Sequence, residues 1–264
     1  MSSVDGARTF HAGGESYDSF MGRYSLRLAP RFADFAGIES GQSALDVGCG
    51  PGALTGELVH RLGASQVAAC DPSPSFVAAC LARNPGVEVV DGRTESLPFE
   101  ANRFDRVLAQ LVLHFVADPE LAAAEMSRVL RPGGRASACV WDFSGGMEML
   151  SQFWLVVLGL DPDAPDHERD LRFGREGEIA ALFARAGFVD VIEDKLLVQV
   201  AYVDFDELWA GFLAGIGPAG SYVVSLEDRA RQRLRHRLLE ALGSPTAAFS
   251  LSAVAIAASG RKPA

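Results

Sequence analysis

Hydrophobic positions in this chain change period several times, and each change marks an element. Tyr17, Phe20, Met21, Tyr24 and Leu28 fall at helical spacing and predict a short amphipathic helix ahead of the first strand. From Ser43 the pattern turns repetitive. Short β-rich runs at Ala44 to Val47, Gln66 to Cys70, Val87 to Val90, Phe104 to Leu111 and Arg135 to Val140 alternate with helical stretches at Leu54 to Leu62, Ser75 to Arg83 and Leu121 to Leu130. Strand and helix in series predict a parallel sheet with helices on both faces. Pro74 opens one helix at its first turn, and Pro132-Gly133-Gly134 is expected to close another before the next strand.

The rhythm breaks at Ser144 to Arg175. There a Gly145-Gly146 pair leads into an apolar, helix-like piece around Phe153 to Leu158 and then an acidic stretch from Asp161 to Asp170. This segment reads as an insertion over the sheet edge. A helix over Glu176 to Ala186, closed by Gly187, restores the pattern. Strand-like runs follow at Val189 to Val203 and Phe249 to Ala258, with helices at Phe205 to Leu213 and Leu226 to Leu242 between them. The expected organisation is one domain: a helical lid over 1–42, a ligand-binding half over 43–141, and cap insertions at 142–175 and 204–246.

Composition narrows the functions that fit. The 264 residues are 48% hydrophobic, enough for one sizeable core. A formal net charge of -10 repels phosphate backbones and anionic lipid at long range, so neither nucleic acid nor a membrane is an expected partner. A small molecule suits the chain better, and the expected state is a monomer or homodimer. The stretch Ser2 to Gly14 is polar, without the apolar region of a secretory signal, and no apolar run is long enough to span a bilayer. Cys49, Cys70, Cys80 and Cys139 form no C-x-x-C pair and sit among apolar neighbours, as reduced thiols of a cytoplasmic protein do. Only Lys195 and Lys262 are lysines, which weakens Schiff-base and Walker-type readings.

Candidate chemistry concentrates where the first strand ends. Ala44-Leu45-Asp46-Val47 runs into Gly48-Cys49-Gly50-Pro51-Gly52 and then a helix. Missing side chains at such a turn let a ligand approach the backbone, and the free N–H groups of the helix favour a negative group. Asp71 ends the next strand, where a carboxylate can accept both hydroxyls of a ribose. An adenosine-bearing ligand follows from the pair. Gly48-x-Gly50-x-x-Ala53 also satisfies a dinucleotide fingerprint, so the glycines alone leave a nicotinamide or flavin cofactor open. Asp46 favours the other side, because a carboxylate two residues before the turn repels pyrophosphate and attracts an ammonium.

Together these stretches resemble class I S-adenosylmethionine-dependent methyltransferases. Leu45-Asp46-Val47-Gly48-Cys49-Gly50-Pro51-Gly52 is similar to their first motif and Cys70-Asp71-Pro72-Ser73 to their second. Asp91-Gly92-Arg93-Thr94-Glu95-Ser96-Leu97-Pro98-Phe99 with Phe104-Asp105 resembles the third, and Arg131-Pro132-Gly133-Gly134 completes the set. The likeness is nearest the ubiquinone/menaquinone-biosynthesis-like branch that acts on small molecules. It implies a Rossmann-like α/β fold, a seven-stranded mostly parallel sheet whose last strand is antiparallel, with helices on both faces and a helical cap.

For S-adenosylmethionine, the resemblance implies that Gly48 and Gly50 line the methionine and ribose, Asp71 holds the ribose and Pro72 borders the adenine. Arg93 departs from the pattern, since an aspartate is usual there. Asp91, Glu95 or a backbone carbonyl would then serve the adenine amine, with Thr94 supplying its amide. Gln110 would border the methionine end. Tyr17 and Arg23, on the helical lid, are candidates to close the donor pocket and to clamp its carboxylate. Their ordinary alternatives are core packing and solvent.

His114, just after the fourth strand, is the best candidate for a general base, and equally a buried spacer. Trp141 and Asp142 share that mouth. An apolar acceptor pocket is expected under the lid, the 144–175 insertion and the 205–216 segment, lined by Phe153, Trp154, Trp209 and Phe212. The acidic run Asp161, Asp163, Asp166, His167, Glu168 and Asp170 lacks the glycine of a calcium loop and reads as solvated, so no metal is expected. Arg229, Arg231, Arg233, Arg235 and Arg237 flank Leu226, Ala230, Leu234 and Leu238 at helical spacing, an amphipathic helix with a basic face. The leading expectation is methyl transfer to a small apolar metabolite. A protein or RNA methyltransferase and a non-catalytic donor-binding scaffold are the alternatives, with a nicotinamide oxidoreductase as the fold-level one.

Overall fold

The computed structural model describes residues 21–166 and 171–264. Tyr17, Phe20 and residues 167–170 lie outside the described residues. Element order is α1 (Arg23–Phe35), β1 (Ala44–Val47), α2 (Ala53–Leu62), β2 (Val67–Asp71), α3 (Pro74–Arg83), β3 (Glu88–Asp91), β4 (Phe104–Gln110), α4 (Pro119–Val129), β5 (Leu130–Trp141) and α5 (Glu148–Leu160). There follow α6 (Glu178–Arg185), β6 (Val189–Tyr202), α7 (Phe205–Leu213), α8 (Gly217–Ser225), α9 (Asp228–Ala241) and β7 (Phe249–Arg261). Among the described residues no single helix is long and apolar enough to cross a membrane, and α7 and α8 meet at a bend of 86°.

The strands form one 7-stranded sheet in the order β3-β2-β1-β4-β5-β7-β6. β1 pairs in parallel with β2 and β4, and β7 runs antiparallel to both β5 and β6. The expected Rossmann-like α/β sheet with an antiparallel last strand is therefore present. Strand order reverses between β1 and β4, and a crevice opens beyond the carboxyl ends of strands at such a point.

Burial follows the pleat. Leu45 and Val47 of β1 pack on one face with α4 and α6, while Ala44, Leu108, Cys139 and Trp141 pack on the other with α1, α2, α5 and α7 to α9. On β6 the alternation is legible residue by residue: Leu196, Val198, Val200 and Tyr202 are buried and Leu197, Gln199 and Ala201 exposed, as an edge strand with one wet face requires.

Most element ends shift by a few residues from the sequence-based expectation; the junction of α4 with β5 and one added element differ in kind. The helix expected to end at Leu130 ends at Val129, and β5 begins at once. Pro132-Gly133-Gly134 does not separate the two; it lies inside the strand as an irregularity where the β4 pairing shifts from Leu130 to Arg135. Gly133 takes φ 80°, and a Cβ on Gly134 would stand 2.9 Å from the Asp105 carbonyl oxygen. The unexpected element is α8, whose sequence GPAGSYVVS is too rich in glycine to show a helical stripe. Pro218 opens its first turn, and burial of Ala219 and Val223 holds it in place.

Candidate functional site

The loop after β1 is folded by hydrogen bonds to β2. The amides of Gly48 and Cys49 both donate to the Cys70 carbonyl, at 2.8 and 3.0 Å. Gly48 takes φ 69°, and a Cβ there would stand 2.6 Å from a Val112 methyl, so the position accepts no side chain. Gly50, at φ 52°, differs: its missing Cβ faces open space, with no atom within 4 Å. The backbone there can be approached closely by a ligand.

Asp71 closes the loop from the neighbouring strand. One carboxylate oxygen accepts the Gly50 amide and the other the Ser73 amide, each at 2.9 Å. Burial raises its pKa and these two amides oppose the shift. Each oxygen keeps a free lone pair, which is the capacity a ribose diol needs. Pro72 beside it is exposed. Thr94 is buried, whereas Arg93 is largely exposed with an ion pair to Glu95 at 3.8 Å. Glu95 in turn accepts the Ala117 amide, and Asp91 is exposed at the end of β3.

Asp46 sits one strand further along, 1% exposed. Its carboxylate accepts the Thr55 hydroxyl at 2.7 Å and, among the described residues, has no basic partner. Burial pushes its pKa up to about 7, against the pull of the Thr55 hydrogen bond. A buried carboxylate held near neutrality without a cation is suited to receive one from a ligand. Thr55 itself carries no sequence signal beyond lying on the inner side of α2.

Gln110 ends β4 on the same sheet face. Its Nε2 donates to the Ser25 carbonyl of α1 at 3.2 Å, while its buried Oε1 has no partner among the described residues. Trp141, at the end of β5, is 2% exposed, and among the described residues its indole N–H also lacks a partner. Asp71, Asp46, Gln110 and Trp141 thus occupy the carboxyl ends of four consecutive strands.

The lid residues are placed differently from one another. Tyr24 is fully buried edge-on to Trp141, with ring centres 6.2 Å apart, and its hydroxyl bonds that of Tyr202 at 3.0 Å. Arg23 turns away from the crevice: it pairs with Glu207 at 2.9 Å, donates to the Ala201 carbonyl and lies over the Tyr202 ring at 4.4 Å. It therefore ties α1 to β6 and α7, and neither of its two sequence-based alternatives, a donor-carboxylate clamp or a solvated side chain, describes these contacts. Tyr17 lies outside the described residues.

His114 is in a short turn after β4, 9% exposed, between the rings of Phe115 and Phe143. Burial lowers its pKa to about 3, so the imidazole is neutral across the physiological range. Its Nδ1 is buried and has no partner among the described residues. The four aromatic residues expected to line an acceptor pocket pack mainly on one another: Phe153 stacks on Phe212 at 4.6 Å, with Trp154 and Trp209 against them. Phe153 and Phe212 are fully buried core. The basic face of α9 is largely engaged as well. Arg231 caps the Val223 and Leu226 carbonyls, Arg235 pairs with Asp206 and Arg237 with Glu240.

Comparison with known proteins agrees with this geometry. A family model described as a methyltransferase domain matches residues 45–138, from Asp46's strand through β4 and into β5. The chain is 31% identical over 183 residues to a malonyl-[acyl-carrier protein] O-methyltransferase of Herminiimonas arsenicoxydans, covering 69% of this chain and 66% of that one. It is 36% identical over 160 residues to a ubiquinone/menaquinone biosynthesis C-methyltransferase of Psychromonas ingrahamii, covering 56% and 63%. The matched stretch is thus less than two thirds of either relative's length. In fold, it is similar to a phosphoethanolamine N-methyltransferase 2 of Haemonchus contortus in complex with S-adenosyl-L-methionine, with a TM-score of 0.61, 16% identity, and coverage of 100% of this chain and 60% of that one.

Proposed function

Since the chain belongs to the class I S-adenosylmethionine-dependent methyltransferases, we propose that it transfers a methyl group from S-adenosylmethionine to an O, N or C nucleophile of a small, apolar metabolite. The observation that carries this reading is the pair of buried carboxylates on adjacent strands. Asp71 retains two lone pairs for a ribose, and Asp46 is an uncompensated acid suited to an ammonium. Gly50 leaves its backbone open to close approach, with no atom within 4 Å of where a side chain would begin. A diphosphate would meet repulsion from both acids.

When bound, S-adenosylmethionine supplies a methyl already activated on a sulfonium, so the chain's part is to position, enclose and keep water out. Asp71 and the Gly48 to Gly50 backbone fix the nucleoside end, and Asp46 fixes the amino-acid end. Tyr24, Leu28 and Ser25 of α1 cover the crevice and exclude solvent. His114, neutral and walled by Phe115 and Phe143, shapes the mouth in this conformation and is not poised as a base.

A small acceptor suits a chain in which three of the five α9 arginines, Arg231, Arg235 and Arg237, already engage its own carbonyls and acids. Action in the cytoplasm fits four cysteines that are all buried free thiols, and a monomer or homodimer is the state we propose. Isothermal calorimetry with S-adenosylhomocysteine tests the reading: binding is expected for the natural chain and its loss for Asp71→Ala. Equal affinity for both proteins would refute it.

A further inference from the structure

A chain of buried polar groups runs beneath the glycine loop and ends on two thiols. Cys49 lies in that loop between Gly48 and Gly50, and Cys80 faces it from α3. Both are free and buried. Gly52 lies between them: its amide donates to the Cys49 carbonyl at 3.0 Å, and a Cβ on it would stand 2.9 Å from Cys80 Sγ. The Cys49 thiol hydrogen-bonds the Cys80 sulfur. Neither thiol has a part in the proposed methyl transfer.

The other end of the chain is Asp46. The Cys80 thiol donates to Thr55 Oγ1 at 3.5 Å, and the Thr55 hydroxyl donates to Asp46 Oδ2 at 2.7 Å. A thiol, a hydroxyl and a carboxylate in that order make a proton path: Asp46 can take the Cys80 proton through Thr55 and leave a thiolate. The Cys49 thiol and the Asn84 amide, its Nδ2 3.7 Å from Cys80 Sγ, are donors placed to hold that thiolate. Led by the Cys49 bond, these contacts pull Cys80 below an ordinary thiol against the effect of burial, while the same bond and burial push Cys49 up. A thiolate beside a thiol is the state from which a disulfide forms. A bound donor would end it twice over, because its ammonium holds Asp46 ionised and its body covers Cys49, the member of the pair that is 7% exposed.

We propose that Cys49 and Cys80 are a modification site, a thiol pair that hydrogen peroxide closes to a disulfide while the donor site is empty, and that the closed form does not hold the donor. The pair's burial admits so small an oxidant and excludes a peptide disulfide. The Cys80 thiolate attacks one peroxide oxygen, the O–O bond breaks and hydroxide leaves, giving a sulfenic acid on Cys80. The proton held on Asp46 turns that hydroxide into water. The Cys49 sulfur then displaces the sulfenic oxygen, the S–S bond forms, and the Cys49 proton leaves with the oxygen as a second water. Two thiols are oxidised and one peroxide is reduced. Closure draws Cys49 toward α3 and carries Gly48 and Gly50 with it, away from the Cys70 carbonyl and the Asp71 carboxylate that fix the loop. The effect on the donor rests on the methyltransferase reading, and the chemistry of the pair does not.

The test treats reduced full-length protein with hydrogen peroxide, with and without saturating S-adenosylhomocysteine, then alkylates it in urea and digests it without reduction. Peptide mass spectrometry is expected to find Cys49 joined to Cys80 in the ligand-free sample and both alkylated in the saturated one, with Cys70 and Cys139 unjoined in each. Calorimetry on the peroxide-treated protein should show S-adenosylhomocysteine bound at least about tenfold more weakly, the worth of one lost hydrogen bond, and dithiothreitol should restore it. Cys80→Ala should keep its affinity through the same treatment. Thr55→Val should form the disulfide more slowly than wild type and Thr55→Ser at nearly the wild-type rate, whereas equal rates in all three overturn the proton path. Absence of the Cys49–Cys80 peptide from ligand-free wild type overturns the inference without recourse to a variant. Equal yield with and without bound S-adenosylhomocysteine does the same, as does an oxidised protein that binds it as well as the reduced one. Failure of the reduced protein to bind S-adenosylhomocysteine would instead refute the methyltransferase reading, and the peptide map of the ligand-free protein would still judge the pair.

Discussion

On the proposed function, Asp46 couples ligand binding to stability, and the coupling has a sign that can be measured. Its carboxyl has a pKa of about 7 in the folded chain against an ordinary 3.8. A folded pKa above the unfolded one means the native state binds the extra proton, so this group stabilises at low pH and its contribution fades as pH rises through 7. At pH 5 the native state holds its proton about two units more favourably than the unfolded chain, worth roughly 2–3 kcal/mol at 1.36 kcal/mol per unit. By pH 8 that contribution is gone, and the carboxylate is buried as a bare charge. Asp46→Asn removes the titration and leaves an amide oxygen for the Thr55 hydroxyl. Urea unfolding of both proteins at pH 5, 6, 7 and 8 should show the wild-type minus variant difference falling by roughly 2–3 kcal/mol toward pH 8. With saturating S-adenosylhomocysteine the wild-type decline should flatten, because a ligand ammonium holds Asp46 ionised, and the variant should gain little from the ligand. A difference that stays within about 0.5 kcal/mol from pH 5 to 8, the scatter of a neutral surface substitution, would refute the assignment of a perturbed carboxyl to this site.

Three further outcomes follow from the same geometry. Gly48→Ala places a methyl against Val112 in left-handed backbone, and should cost about 2–4 kcal/mol in urea unfolding and abolish S-adenosylhomocysteine binding; a neutral effect would mean the loop yields. Arg23→Ala should cost under about 1 kcal/mol, because its ion pair with Glu207 is partly exposed, and should leave S-adenosylhomocysteine affinity nearly unchanged by calorimetry; a tenfold loss would restore this arginine as a carboxylate clamp. His114 is held neutral by burial, so wild type should lose about 3 kcal/mol relative to His114→Phe between pH 7 and pH 4, as the unfolded chain gains a proton the native state refuses, while the pH profile of methyl transfer between 6 and 9 should not move; a shifted profile would mark the imidazole as a working base.

The donor side of the site was legible in the sequence because its determinants are local. Gly48, Gly50, Asp46 and Asp71 each end a strand or form the turn directly after one, so chain order alone places them at one crevice mouth. The strands and most helices were legible for a related reason: burial on one face writes its period into the sequence. The cap was harder to read. Arg23 lies off the apolar stripe of its own helix, and nothing local distinguishes a clamp from an arginine held by Glu207, 184 positions away. Phe153, Trp154, Trp209 and Phe212 announced an apolar site only by composition, and their rings pack with one another. Gln110 and Trp141 were visible as residues near the mouth, but their unpartnered atoms are a property of assembled neighbours. Only the Ser25 carbonyl, brought by α1, decides which end of the Gln110 amide is free.

α1 is tied to the crevice by the Gln110–Ser25 bond, to β6 by the Tyr24 and Tyr202 hydroxyls, and to α7 through Arg23 and Glu207. Each tie is a single hydrogen bond or a partly exposed ion pair, worth about 1 kcal/mol or less. Tyr24 and Leu28, both fully buried, add the larger apolar share. Peeling the first turn of α1 therefore costs far less than unfolding the sheet.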